Sequence, residues 1–183
     1  MTPAPALLAP NTPLQRVLEI YPGAQRALFK RYHIGGCSSC AFQPTETLDE
    51  LCRRNNQLDV REMIEHLKTS HEQDEQMQLA PQELAERRKR GEAVKLLDIR
   101  TREEWDAVRI EGATRMSQET MQEILGRWPR EALLVIYDHQ GTRSLDAAAY
   151  FQGHGFKNVR CLRGGIDAWS QEVDPALPRY RLE

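Results

Sequence analysis

Apolar positions change their period partway along this chain, and the change divides it into two kinds of structure. Between Thr12 and Leu67 apolar residues recur three or four apart, as in Leu14, Val17 and Leu18, in Leu48, Leu51 and Cys52, and in Met63, Ile64 and Leu67. That is the spacing of helices with one buried face. Beyond Leu79 short apolar runs at Lys95 to Ile99, Ala113 to Met116, Leu133 to Tyr137 and Val159 to Leu162 read as strands separated by helical stretches. Such alternation predicts a parallel sheet covered on both faces. The fold class expected is therefore α+β with two domains: a small helical domain over residues 12–68, a linker over 69–78, and an α/β domain over 79–183. The linker rests on His71 to Gln78, which is polar and has no apolar period.

Local signals refine the helical part. Thr12 and Pro13 predict a helix start, and Tyr21-Pro22-Gly23 a break. A second stretch, Ala24 to Tyr32, runs into Ile34-Gly35-Gly36, where glycine suits a left-handed end. Thr45 and Thr47 offer caps for a third helix, and Leu58-Asp59-Val60 opens a fourth.

With 183 residues, 40% of them hydrophobic, the chain has the composition of a soluble globular protein. Its net charge of -2 gives no bulk attraction to nucleic acid or to an anionic membrane, and neither is expected as a partner. The basic run Arg87-Arg88-Lys89-Arg90 reads as a solvated helix end. No stretch reaches the roughly 18 apolar residues of a membrane span, and Met1 to Pro10 lacks the pattern of a signal peptide. A cytoplasmic location follows as an expectation, and there cysteines are normally reduced.

Two places carry candidate chemistry. The first is Cys37-Ser38-Ser39-Cys40, whose spacing brings two sulfurs within reach of one disulfide or one metal ion. Three readings stand: a redox or sulfur-handling dithiol, which is preferred; a ligand pair for zinc or an iron–sulfur cluster; and two small buried residues at a turn. Metal binding needs further ligands, for which Cys52 and His33 are candidates, or a second pair from a homodimer. Cys52 also sits on an apolar stripe as a core residue would.

The second place is Asp138-His139-Gln140-Gly141-Thr142-Arg143, between the apolar run ending at Tyr137 and the helical stretch from Ser144. A glycine there lets backbone N–H groups converge, and the following helix adds positive potential, so the loop forms a cradle for an anion or a nucleophile. In one reading the cradle remains a pocket whose occupant meets a carboxylate. In the other, Asp138 itself accepts the loop N–H groups and pairs with Arg143. Cys161 falls on the same strand face as Val159 and is expected in the core.

Residues 95–180 resemble a rhodanese domain. The markers are Leu97-Asp98-Ile99-Arg100, Glu103-Glu104-Trp105, Ile110-Glu111-Gly112-Ala113, the six-residue loop, and Leu162-Arg163-Gly164-Gly165-Ile166-Asp167-Ala168-Trp169. The resemblance implies a persulfide-forming cysteine at the first loop position, where this chain has Asp138, and a carboxylate cannot accept sulfane sulfur. It also implies that Asp98 and Arg100 fix the neighbouring loops. Residues 12–67 resemble the hybrid-cluster-protein-associated redox disulfide domain through their helix breaks, the C-x-x-C turn and the Leu-Asp-Val entry. Val173 to Tyr180 is similar to the closing segment of rhodanese domains fused to enzymes that activate sulfur-carrier proteins. Together these imply a redox or sulfur-metabolism accessory protein without thiosulfate sulfurtransferase activity, with a sulfur-carrier or redox protein as partner. The alternatives are a metal or iron–sulfur protein and a non-catalytic interaction protein.

Overall fold

The computed structural model of the protein describes residues 8–35 and 43–180. Cys37 and Cys40 lie outside the described residues. The chain forms two compact units that divide between Gln76 and Met77.

The first unit is helical: α1 (Leu14–Ile20), α2 (Ala24–Tyr32), α3 (Leu48–Arg54) and α4 (Val60–Met77). The residues that set the apolar period, among them Leu14, Val17, Leu28, Leu48, Leu51, Cys52, Met63 and Leu67, form one buried cluster. Thr47 caps α3 in a reciprocal capping box with Glu50. Two ends differ from expectation. Pro13 rather than Thr12 stands at the cap of α1, because the Thr12 hydroxyl accepts the Ala9 N–H instead. The left-handed residue that ends α2 is His33, with φ 57°, rather than a glycine.

The stretch 69–78 also differs from a linker, since α4 continues through it to Met77. Contacts distant in sequence hold it. Asp74 is buried and pairs with Arg26 at 2.5 Å, and the His71 ring stacks on Tyr21 with centroids 4.3 Å apart. A polar surface pattern thus conceals an anchored helix.

The second unit is an α/β layer structure. Strands β1 (Gln78–Leu79), β2 (Val94–Asp98), β3 (Thr114–Arg115), β4 (Leu133–Tyr137) and β5 (Val159–Leu162) alternate with α5 (Pro81–Lys89), α6 (Arg102–Ala107), α7 (Gln118–Arg127), α8 (Ser144–Gly153) and α9 (Gly165–Glu172). The sheet order is β1-β5-β4-β2-β3, and every pairing is parallel. All five residues of the central β4 are buried, as a strand covered on both faces requires. Alternate residues feed two cores. Leu96, Val135, Tyr137 and Leu162 pack with Leu84, Ile166 and Trp169, while Leu97, Leu134, Ile136, Val159 and Cys161 pack with Ile124, Leu145 and Phe151. Cys161 therefore lies in the core beside Val159.

The basic run on α5 is internally paired: Arg87 meets Glu83 and Glu92, and Arg90 meets Glu92. Among the described residues no helix is long and apolar enough to cross a membrane.

Candidate functional site

Because β2, β4 and β5 run parallel side by side, the loops after their carboxyl ends open on one edge of the sheet, where α/β folds place their sites. Asp98 lies in register with Tyr137, which brings the turn after β2 beside the loop after β4.

That loop, Asp138–Arg143, is locked against the turn after β5. Gly141 has φ +84°, and a Cβ there would lie 2.8 Å from the Gly164 nitrogen. A Cβ at Gly165, which has φ +61°, would collide with the carbonyl oxygens of Asp138 and His139. Those two carbonyls accept the N–H groups of Ile166 and Asp167 at 3.0 and 3.1 Å, in the first turn of α9. Glycine at both positions lets two backbones touch.

At the centre of the loop is Asp138, 3% exposed. One carboxylate oxygen accepts the Gly141 N–H, and the other accepts the Arg143 N–H at 2.6 Å. The carboxylate thus occupies the focus of the loop donors and lies at the start of α8, where a negative charge is favoured. Arg143 meets Asp138 through its backbone. Among the described residues no ion pair joins the Arg143 guanidinium to Asp138, which corrects the expected side-chain pairing, because the backbone N–H reaches the oxygen first.

Asp98 and Arg100 make a fully enclosed pair beside the loop, with side chains 0% and 1% exposed. Arg100 Nε donates to Asp98 at 2.9 Å and Nη2 donates to it at 2.5 Å; Nη2 also donates to the Val108 carbonyl at 2.7 Å. Burial alone would lower the Arg100 pKa, but the bonds to Asp98 and Tyr180 outweigh it and raise the group further. Burial, together with the nearby Asp98 carboxylate, raises the Tyr137 phenol. The guanidinium lies 5.5 Å from the Tyr137 ring centroid.

Tyr180, from the segment after α9, packs against residues of the site. Its ring stacks on His139, centroids 4.3 Å apart and planes 19° from parallel, and its carbonyl accepts the His139 Nε2–H at 3.0 Å. Its hydroxyl accepts from Arg100 Nη1 at 2.8 Å and donates to Glu104 at 2.7 Å. A cavity of about 70 Å³ remains, lined by Arg100, Glu104, Asp138, His139, Gln140, Thr142 and Arg143. Five of the six loop residues expected in a pocket line it, and the sixth, Gly141, packs behind. Glu104 and Tyr180 were not anticipated here. Glu104 carries the local signal of a capping box with Thr101, whereas Tyr180 carries none.

Cys52 stands apart from all of this, buried in the first unit with its sulfur 3.5 Å from that of Met63. Burial, aided by Asp49 and Asp59, pushes its thiol up to about 11. Among the described residues no three His, Cys, Asp or Glu side chains gather where a metal ion would be held. His33 is exposed at the end of α2.

Comparison with known proteins places the second unit. Residues 80–172 match the model of the Rhodanese-like domain. A probable adenylyltransferase/sulfurtransferase MoeZ of Mycobacterium tuberculosis is 33% identical over 104 residues, which are 56% of this chain and 26% of that protein. The chain thus spans about a quarter of the length of that relative. The thiosulfate sulfurtransferase GlpE of Pseudomonas entomophila is 31% identical over 80 residues, 44% of this chain and 73% of the relative. A sulfurtransferase of Allochromatium vinosum is 34% identical over 94 residues, 51% of this chain and 88% of its own. Among solved structures, a rhodanese-like domain protein from Staphylococcus aureus aligns with TM-score 0.47 and 23% identity over 57% of this chain and 98% of that one.

Proposed function

The chain belongs to the rhodanese-like family, and we propose that its α/β unit serves sulfur metabolism by recognising a partner, while Cys37 and Cys40 carry the thiol chemistry. One observation supports the first half. The donors of the loop, which in the resembling sulfurtransferases would face a persulfide, are here satisfied by Asp138 of the same chain. A buried carboxylate with both oxygens bonded has no leaving or accepting capacity for sulfur, so a sulfur atom must travel on another residue. The thiol of Cys52 is held protonated by burial, and Cys161 is enclosed in the sheet core, which leaves Cys37 and Cys40 for that task.

The partner in this reading is a sulfur-carrier or redox protein in the cytoplasm. Equilibration with glutathione buffers should give a two-electron transition that either Cys37→Ser or Cys40→Ser abolishes. A visible chromophore and bound metal after anaerobic purification, lost in the same variants, would replace the dithiol by a metal or iron–sulfur centre. Independent alkylation of the two thiols, with no shared potential and no metal, would contradict both.

A further inference from the structure

The segment after α9 has no part in that proposal, yet it reaches the loop at His139 and the two residues beside it, Arg100 and Glu104. Arg179 pairs with Asp167 at 2.7 Å, and the Ser170 hydroxyl donates to the Leu177 carbonyl at 2.6 Å, so the segment is pinned along α9. It delivers Tyr180, which is not among the lining residues, to three residues that line the cavity, Arg100, Glu104 and His139.

We propose that Tyr180 is a latch on the Asp138–Arg143 loop, a positioning residue whose release opens the site wall to a phenolic side chain of a partner. Three observations carry this. First, the contact is made of separable parts, three hydrogen bonds and a stack, of which two bonds and the stack belong to a half-buried side chain and the third to the Tyr180 carbonyl. Second, its release does not dismantle what lies beneath. Arg100 keeps Asp98 and Val108, and Glu104 keeps its bond to the Thr101 N–H. Third, release leaves one guanidinium donor, one carboxylate acceptor and one imidazole face arranged together on the wall. An occupant must accept from a cation, donate to a carboxylate and stack on a ring, which a phenol does. Burial and the Glu104 carboxylate push the Tyr180 phenol up to about 12, so it keeps the proton it donates across the neutral range.

The biological use of the latch rests on the recognition reading, but the latch itself needs neither partner nor sulfur donor. Hydrogen exchange of the full chain tests it with Tyr180→Ala and Tyr180→Phe. In Tyr180→Ala the N–H groups of Gly141, Arg143 and Asp167 should exchange faster by about tenfold or more, the factor set by losing a hydrogen bond to a charged group. The amides of β4 should be unchanged. Tyr180→Phe, which keeps the stack, should fall between the two, and millimolar p-cresol should restore slow exchange in Tyr180→Ala. Unchanged loop exchange in a folded Tyr180→Ala protein, or no effect of p-cresol on faster exchange, would overturn the latch. Should Tyr180→Ala fail to fold, Tyr180→Phe decides: faster loop exchange over a protected β4 supports it, and native exchange overturns it. A missing redox couple at Cys37 and Cys40 would leave this result untouched.

Discussion

The Asp138 carboxylate accepts the N–H of Gly141, three residues further along the same loop, and so fills the focus that the loop creates. The relationship depends on Gly141 itself, which reaches its place at φ +84° with the Gly164 backbone against it. Gly141→Ala should therefore combine a left-handed conformation with a close backbone contact, and lower stability by about 1–3 kcal/mol. Urea unfolding should show a lower midpoint with unchanged slope. A wild-type midpoint would mean that the loop does not hold the packing described.

The Asp98 and Arg100 pair supports the loop from the neighbouring strand. Asp98→Leu would leave an enclosed guanidinium without its paired carboxylate and should cost about 3–5 kcal/mol. The double variant Asp98→Leu/Arg100→Met should be more stable than that single change, because no bare charge remains. Additive losses in denaturant titrations of the native protein, Asp98→Leu, Arg100→Met and the double variant would show that the two side chains do not act as a pair.

How much of this was legible in the sequence follows the range of the interactions. The strands of the parallel sheet, Cys161 in its core, and the loop between β4 and α8 follow from apolar runs and a local glycine. The acceptor role of Asp138 was also legible, since its partners are within five residues. Tyr180 was not, because its hydroxyl partners Arg100 and Glu104 lie 80 and 76 residues away. The same reason hides the helix in 69–78, the stretch in which the two units do divide: Asp74 is anchored by Arg26, 48 residues earlier, and no periodicity there announces a salt bridge. His33 in the left-handed region likewise gives no signal beside two glycines that suit it better.

Cys52 predicts a pH dependence. Its thiol rises from an ordinary 9.0 to about 11 in the folded protein because burial disfavours the thiolate. Since the folded value exceeds the unfolded one, the unfolded chain ionises first, and the stabilising contribution present below pH 9 is lost between pH 9 and about 11. Unfolding of the first unit should thus become easier across that window, and Cys52→Ala should remove this part of the slope. An identical alkaline slope in the variant would assign the effect to other groups. Alkylation at neutral pH should likewise spare Cys52 until the unit unfolds.

What stands at the first position of the loop decides whether it can carry sulfur, and thiosulfate:cyanide sulfurtransferase turnover measures that most directly, compared between the native protein and Asp138→Cys. The native protein should show no appreciable turnover. Asp138→Cys places a thiolate at the focus of the Gly141 and Arg143 N–H groups, where its pKa is lowered, and should gain a sulfur atom detectable by mass on that residue. Robust native turnover that persists after replacement of Cys37, Cys40 and Cys161 would contradict the account.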